Sequence, residues 1–279
     1  MASLQELRKR LRSIRSIEQL AGAMRTAATA KYSRLSKIRE EFKPYRSASA
    51  ETLRLLGASG LKRTAETVRN RNCIIVLSGN RGLCGGFHTE LLRFLERTLK
   101  MQFSPPLLLV SGRKAVAWLR ERNIPFEEYP TLDIPEYAQI KAMAERAEHA
   151  YIQGEVRTVQ VVFQRFRNML TQESAMVQFL PETDLPVPLD LPVIDEDLLY
   201  LPDRETIEEE TEETCLDAKL YELALENAAG VQAATIMSMR SACDNAQKAA
   251  AELEITINRR RQAEITSSVI ETAAGSQGD

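Results

Sequence analysis

Side chains that bind metals or form disulfides are scarce in this chain of 279 residues. It contains four cysteines and two histidines, and the cysteine spacings match neither a disulfide framework nor a zinc site. We therefore expect no metal centre and no structural disulfide, and free cysteines are typical of a reducing compartment. The six residues are Cys73, Cys84, Cys215, Cys243, His88 and His149.

Long hydrophobic runs are also missing. No stretch of eighteen apolar residues occurs, so no membrane-spanning helix is predicted, although a hydrophobic content of 44% is enough for a buried core. The first residues lack the apolar segment of a signal peptide, and we expect the chain to begin as a mature cytosolic protein does. A net charge of −2 with 27% charged residues is typical of a soluble protein.

Helix-breaking residues are almost absent between residues 206 and 275. This stretch has one internal glycine, Gly230, and no proline. Its periodicity predicts one helix of roughly 100 Å, and the charges along it exclude a membrane span, so a coiled coil is favoured. The positions at helical spacing are Leu216, Leu220, Leu223, Val231, Ala234, Ile236, Met239, Cys243, Ala246, Ala250, Leu253 and Ile257.

The first 46 residues combine strong positive charge with an apolar stripe. They hold twelve Lys or Arg against four Glu, a net +8, while Leu4, Leu7, Leu11 and Ile14 recur at helical spacing. We predict a second long helix over residues 1–60. Such a helix suits nucleic acid, anionic lipid or an acidic protein. Few aromatic residues and a stripe that must be buried favour a protein contact or a solvated coiled-coil face.

The middle of the chain alternates strand and helix patterns. This alternation predicts a mostly parallel, Rossmann-like sheet covered on both faces. The predicted domains are therefore an N-terminal helix (1–60), an α/β domain (70–202) that ends in an extended connector (181–202), and a C-terminal helix (206–275). Strands are predicted at 73–78, 107–111, 156–166 and 174–180, and helices at 89–100, 113–122 and 134–153.

The loop 78–87 carries four glycines between a strand and a helix, a pattern that occurs in phosphate cradles. A P-loop needs Lys and then Ser or Thr after its last glycine, whereas Phe87 and His88 follow here. Tight strand-to-helix packing and nucleotide binding both remain open from the residues alone. Cys84 near His88 lacks a third orienting group for nucleophilic catalysis. We predict no catalytic site and no cofactor.

Three motifs now carry a family resemblance. They are Met-Arg-Thr-Ala-Ala-Thr-Ala-Lys at 24–31, Asn-Arg-Gly-Leu-Cys-Gly-Gly-Phe at 80–87, and Met-Arg-Ser-Ala-Cys-Asp-Asn-Ala at 239–246, which is followed by Ile-Asn-Arg-Arg-Arg-Gln-Ala-Glu-Ile-Thr at 257–266. In order and spacing the chain resembles the gamma subunit of F-type ATP synthases over essentially its whole length.

The resemblance implies a fold and a function. The terminal helices would form an antiparallel coiled coil, and the chain would be the central rotor shaft that couples ion flow through a membrane ring to cycling of the catalytic beta subunits. The implied partners are an alpha3beta3 hexamer, the epsilon subunit and the membrane c-ring. No cofactor, nucleic acid, small-molecule substrate or catalysis by this subunit is implied. The implied location is peripheral, at the cytoplasmic face of the bacterial cell membrane.

The resemblance also implies residue roles. The implied contacts are Met24, Arg25, Lys31, Gln232 and Arg240 with acidic catch loops of beta; Ile265, Val269, Ile270 and Ala273 as a bearing tip; and Arg81, Gly82, Leu83 and Tyr200 facing epsilon and the ring.

The chain departs from the family pattern in the predicted C-terminal helix. Where the family usually has Ser-Glu-Gln followed by an arginine, this chain has Gly230-Val231-Gln232 and Thr235, so two charged positions are lost. Two functions remain as alternatives to the rotor shaft: a ligand-binding module with the helices as dimerisation arms, and a coiled-coil scaffold.

Overall fold

The computed structural model describes residues 3–56, 68–181, 201 and 203–275. Nearly all of the predicted connector, 181–202, lies outside these residues. In chain order the elements are α1 (Leu4–Leu56), β1 (Cys73–Leu77), α2 (Phe87–Lys100), β2 (Leu107–Ser111), α3 (Arg113–Glu121), β3 (Glu127–Glu128), α4 (Tyr137–Ile152), β4 (Val159–Phe166), β5 (Gln172–Leu180) and α5 (Arg204–Gly275).

The two long predicted helices are present as α1, with 53 residues, and α5, with 72 residues. A capping box begins α1, because the Glu6 amide donates to Ser3 Oγ at 3.2 Å and the Ser3 amide donates to Glu6 Oε2 at 2.7 Å. The start of α5 precedes the predicted Thr206. The Thr206 amide donates to Asp203 Oδ1 at 2.9 Å, so Asp203 acts as the N-cap.

The contacts within the chain form two compact units, Met1–Ala28 with Ile236–Asp279, and Thr29–Thr235. In the first unit α1 and α5 pack antiparallel, because Arg15 pairs with Glu254 while Glu18 accepts a hydrogen bond from Gln247 at 2.7 Å. Ala21 packs with Met239 and Cys243 in a small apolar cluster. The three-domain division by chain order stays a prediction.

The second unit contains one five-stranded sheet in the order β3-β2-β1-β4-β5. β1 pairs in parallel with β2 and β4, β2 pairs in parallel with β3, and β5 runs antiparallel to β4. The predicted mostly parallel sheet is therefore confirmed, and all four predicted strands are present with ends shifted by at most three residues. The sequence did not predict β3, which has only two residues and no readable pattern.

Helices cover both faces of the sheet, as predicted. Alternate residues of a strand point to opposite faces. Ile75 of β1 belongs to a core with Leu35 of α1, Ile140 of α4 and Leu220 of α5. Ile74 belongs to a second core with residues of α2 and α3, including Leu91, Leu95, Val116 and Leu119.

Candidate functional site

The glycine loop begins where β1 ends, and backbone contacts hold it against the turn from β2 to α3. The Ser78 amide donates to the Ser111 carbonyl at 2.9 Å, and the Ala115 amide donates to Ser78 Oγ at 3.1 Å. The Asn80 side-chain amide donates to the Thr131 carbonyl at 2.8 Å. The start of the loop is thus bound to the backbone of residues 111, 115 and 131.

Residues 230–234 of α5 pack directly on the glycine loop. Val231 forms an apolar cluster with Cys84, Phe87 and Ala234. A Cβ atom on Gly230 would lie 3.1 Å from Phe87 Cε2, which leaves little room for a larger residue. Gly230 and Val231 therefore make an apolar contact with the loop, at the positions where the family resemblance implied polar and charged groups. The departure is visible in the sequence, but its contact with the glycine loop is not, because that contact joins distant parts of the chain.

The space behind the glycine loop is too small for a nucleotide. The cavity at the carboxyl end of β1 has a volume of about 30 Å³, room for one or two water molecules, whereas ligand pockets span several hundred Å³. At the N-terminus of α2, a Cβ on Gly86 would lie 3.2 Å from Glu90 Oε1. A carboxylate thus already lies at the helix end where an anion would bind. These observations favour the packing interpretation of the loop.

Cys84 and His88 are buried and poorly suited to nucleophilic catalysis. Burial raises the pKa of the Cys84 thiol, which is 3% exposed, and so disfavours the reactive thiolate. Burial also lowers the pKa of His88, and its Nε2 lies 2.9 Å from the Arg81 carbonyl oxygen. The ring is therefore engaged with the loop backbone rather than with the thiol.

A wide groove of about 840 Å³ opens beside the glycine loop. Four basic residues, Lys31, Arg34, Arg81 and Arg113, line it together with two acidic residues, Asp133 and Glu136. Lys31 Nζ lies 2.5 Å from Asp133 Oδ2, and Arg81 Nε lies 3.3 Å from the same oxygen. Burial raises the pKa of Asp133, but the hydrogen bond from Lys31 and the charges of Lys31 and Arg81 outweigh it and hold that pKa below its usual value. The groove keeps an excess of positive charge.

The predicted contact residues differ in exposure. Arg25 and Arg240 are exposed, whereas Met24 packs partly buried against the cluster of Ala21, Met239 and Cys243. Gln232 is only 7% exposed and lines the small cavity behind the glycine loop, and Lys31 bonds to Asp133. Partner contacts of these residues stay predictions.

Two other predicted groups are largely open to solvent. Ile265, Val269 and Ile270 are 56%, 62% and 62% exposed, and Leu83 is 59% exposed at a φ of 66°. The Arg81 side chain is 76% exposed. Gly82 lies beside it in the loop at intermediate exposure. Tyr200 and the side chain of Ala273 lie outside the described residues.

Residues 3–56, 68–181, 201 and 203–275 contain neither a metal-binding cluster nor a membrane-spanning helix. No group of three His, Cys, Asp or Glu side chains among the described residues is placed to hold a metal ion. None of the helices in those ranges combines the length and hydropathy that a bilayer crossing needs.

Comparison with known proteins identifies the family. The ATP synthase family model matches residues 3–278. The ATP synthase gamma chain of Chloroherpeton thalassium is 30% identical over 302 residues, with 99% of this chain and 97% of the relative covered. The gamma chain of Anaeromyxobacter dehalogenans is 29% identical over 296 residues, with 99% of both covered.

Solved structures share the fold. A chain of the Euglena gracilis mitochondrial ATP synthase, from a structure of OSCP, F1 and the c-ring, aligns with a TM-score of 0.68 at 16% identity and covers 98% of this chain and 93% of its own length. A chain of the rotor of the same synthase aligns with a TM-score of 0.66 at 17% identity, covering 94% and 98%. With the helix pair and the mostly parallel sheet in place, these matches establish that the chain belongs to the family of gamma subunits of F-type ATP synthases.

Proposed function

We propose that this chain is the central rotor shaft of its complex, coupling ion flow through a membrane ring to conformational cycling of three catalytic beta subunits. The chain itself performs no chemistry. A shaft acts by contacting the three beta subunits differently at each angle, since only differential contact shifts a conformational equilibrium. Nucleotide binding and phosphoryl transfer then belong to the surrounding subunits.

The observation that carries this proposal is the antiparallel helix pair in the unit formed by residues 1–28 and 236–279. Arg15 lies beside Glu254, and α1 begins eleven residues before Arg15, at Leu4. With the same rise per residue in both helices, the start of α1 falls opposite about residue 265 of α5. The last turns of α5 therefore extend past the helix with which they pair.

The exposed end of α5 has the side chains that a rotating tip needs. Ile265, Val269 and Ile270 expose more than half of their surface each. Apolar contacts have no preferred direction, so such a tip can turn inside an apolar sleeve without breaking hydrogen bonds at each angle. Isolated exposed apolar residues are common, but three within six positions at one helix end suit a protein contact.

The basic groove suits an acidic partner. Arg34, Arg81 and Arg113 line it around the Lys31–Asp133 pair. An acidic loop of a partner subunit would meet complementary charge there, which raises association rates and suppresses wrong partners. In this proposal Met24, Arg25, Lys31, Gln232 and Arg240 serve the beta contacts, while Arg81, Gly82, Leu83 and Tyr200 face epsilon and the c-ring.

The location of the chain follows from this assignment. A shaft that touches both a c-ring and an alpha3beta3 hexamer lies against the cytoplasmic face of a bacterial cell membrane as a peripheral subunit.

Affinity purification of the tagged full chain from native membranes tests the rotor function, because alpha and beta should be recovered at three copies each per shaft. Recovery of the chain alone, or as a homodimer, would refute the rotor function.

Deletion of residues 258–279 tests the role of the tip. We expect the shortened chain to keep its sheet, because every strand lies in the unit Thr29–Thr235. Its recovery with alpha and beta should fall strongly, since Ile265, Val269 and Ile270 are removed. Circular dichroism and quantitative pull-down measure the two properties, and deletion of residues 276–279 alone is the control. Loss of the sheet in the shorter chain would contradict the separation of the two units.

A further inference from the structure

Strand β4 extends beyond its neighbour β1. The parallel register pairs Cys73 with Val159 and Val76 with Val162, and β1 ends at Leu77. β4 continues to Phe166, so no strand of the described residues pairs with its last residues on the β1 side. On the other side they pair normally, with Gln164 opposite Ser174 of β5. Backbone amides at this edge need acceptors from another element.

Helix α5 supplies those acceptors with two consecutive side chains. The Gln164 amide donates to Asn227 Oδ1 at 3.2 Å, and the Phe166 amide donates to Glu226 Oε1 at 2.8 Å. Asn227 is 4% exposed and Gln164 is fully buried. The two α5 side chains thus take the place that β1 would occupy if it were longer.

The same point of the sheet is tied to two further helices. The Gln164 side-chain amide donates to the Phe87 carbonyl at the start of α2, at 2.9 Å. The ring of Phe166 lies 6.0 Å from the ring of Tyr32 on α1. The carboxyl end of β4 is therefore where the sheet meets α1, α2 and α5 together.

The remaining contact between α5 and this face of the sheet is mainly apolar. Leu220, Ala224 and Leu225 lie in the shared core. Apolar burial is strong but has no preferred direction, so it holds a helix on a sheet without fixing its axial position. Hydrogen bonds weaken steeply with distance and angle, so they do fix that position. Glu226 and Asn227 are the α5 side chains that bond to strand backbone in this way among the described residues.

We propose that Glu226 and Asn227 form a joint that locks α5 to β4, so that the helix and the sheet turn as one body. The inference rests on the proposed rotor function. In that function the membrane ring acts on the α/β domain and the catalytic hexamer surrounds the helix pair, so torque must pass from the sheet to α5. A joint that slips would let the two parts turn by different angles. Glu226 and Asn227 are thus positioning residues, which act through β4.

Hydrogen exchange tests the joint in the isolated full chain. Glu226→Met and Asn227→Leu remove the accepting oxygens at similar volume, whereas Glu226→Gln and Asn227→Asp keep an oxygen at each position. We expect the Phe166 amide to exchange about tenfold faster in Glu226→Met, and the Gln164 amide in Asn227→Leu, because each loses about one hydrogen bond of local protection. Amides of Ile74, Ile75 and Val76 should exchange at the wild-type rate, which excludes general unfolding.

A rotation measurement tests the mechanical role in the assembled complex. Phe103 is fully exposed in the segment between α2 and β2, and the four native cysteines are buried, so Phe103→Cys offers one thiol for a bead. With the catalytic hexamer fixed to glass and ATP supplied, the bead should turn. In Glu226→Met and Asn227→Leu complexes the bead should show a broader angular distribution during each pause, and the rate of ATP hydrolysis should equal that of the wild type. The Glu226→Gln and Asn227→Asp complexes should show the wild-type angular distribution.

The outcomes separate the two proposals. Rotation of the wild-type bead with an unchanged angular distribution in both the Met and the Leu variants would overturn the joint and leave the rotor function standing. Absence of rotation in an active wild-type complex would overturn the rotor function itself, and the joint with it. Broader distributions in the Gln and Asp controls would also refute the joint, since these variants keep the accepting oxygens.

Discussion

Replacing Gly112 by alanine should destabilise the α/β unit by about 3 kcal/mol or more. Gly112 joins β2 to α3 at a φ of 95°, where residues with a Cβ are strained. A Cβ there would lie 2.3 Å from the Ser78 carbonyl oxygen, closer than atoms can approach. Relief would require β1 and β2 to separate at the start of the glycine loop. Urea unfolding followed by circular dichroism measures the loss.

Two other glycines serve as matched controls. Gly85 also has a positive φ, 59°, but a Cβ on it would meet no described atom within 4 Å, so Gly85→Ala should cost only about 1 kcal/mol of strain. Gly22 lies inside α1 with equally open surroundings among the described residues, and Gly22→Ala should stabilise by up to about 1 kcal/mol. A loss for Gly112→Ala no larger than that for Gly85→Ala would contradict the predicted clash.

Local sequence patterns were sufficient to predict most of the helices and strands. β1 and β2 are short apolar runs between polar residues, and the long helices repeat apolar residues at helical spacing, so the residues alone located them. The sequence also predicted a helix from residue 113, and Gly112 is the N-cap of α3. It did not reveal that Gly112 touches Ser78, because that contact joins residues 34 positions apart through the pairing of two strands.

Contacts between distant residues also explain what the sequence missed at the candidate site. Glu226 and Asn227 are two polar residues in a helical pattern. Nothing near them in the chain indicates that β4 extends beyond the end of β1 and leaves backbone amides for them to accept from. Lys31 was predicted from the family resemblance to meet a partner, but its internal bond to Asp133 depends on the position of residues 131–137. Such pairings arise from tertiary structure, which periodicity and motif spacing do not encode.

The packing between α4 and α5 buries two carboxyl groups close together. Glu148 is 4% exposed and Asp217 is 2% exposed, and Glu148 Oε1 and Asp217 Oδ1 have no hydrogen-bond partner among the described residues. Burial is the main cause that raises the pKa of Glu148 to about 8, and the charges of Asp217, Glu213 and Glu145 add to it against Lys141. Burial also raises the pKa of Asp217 to about 6, although Lys141 Nζ lies 3.3 Å from Asp217 Oδ2.

The free energy of unfolding should therefore fall as pH rises from about 5 to about 8. Over this range the native state keeps a proton on Glu148 that the unfolded chain has released, since the unfolded pKa is near 4.5, and the proton difference disfavours the folded state. The loss from Glu148 should be on the order of 4 kcal/mol, because each unit of pKa difference corresponds to about 1.4 kcal/mol. Asp217 adds to the loss below about pH 6, since its pKa is raised as well.

Glu148→Gln should flatten this decline, because an amide does not ionise, and urea unfolding at intervals of about one pH unit measures the slope. Glu145→Gln is the matched control on the same helix, since the Glu145 side chain is 59% exposed and its pair with Lys141 lies at the surface. The control should therefore keep most of the wild-type slope. Equal slopes for Glu148→Gln and the wild type would mean that Glu148 ionises at its ordinary pKa, and that the α4–α5 contact tolerates two buried charges.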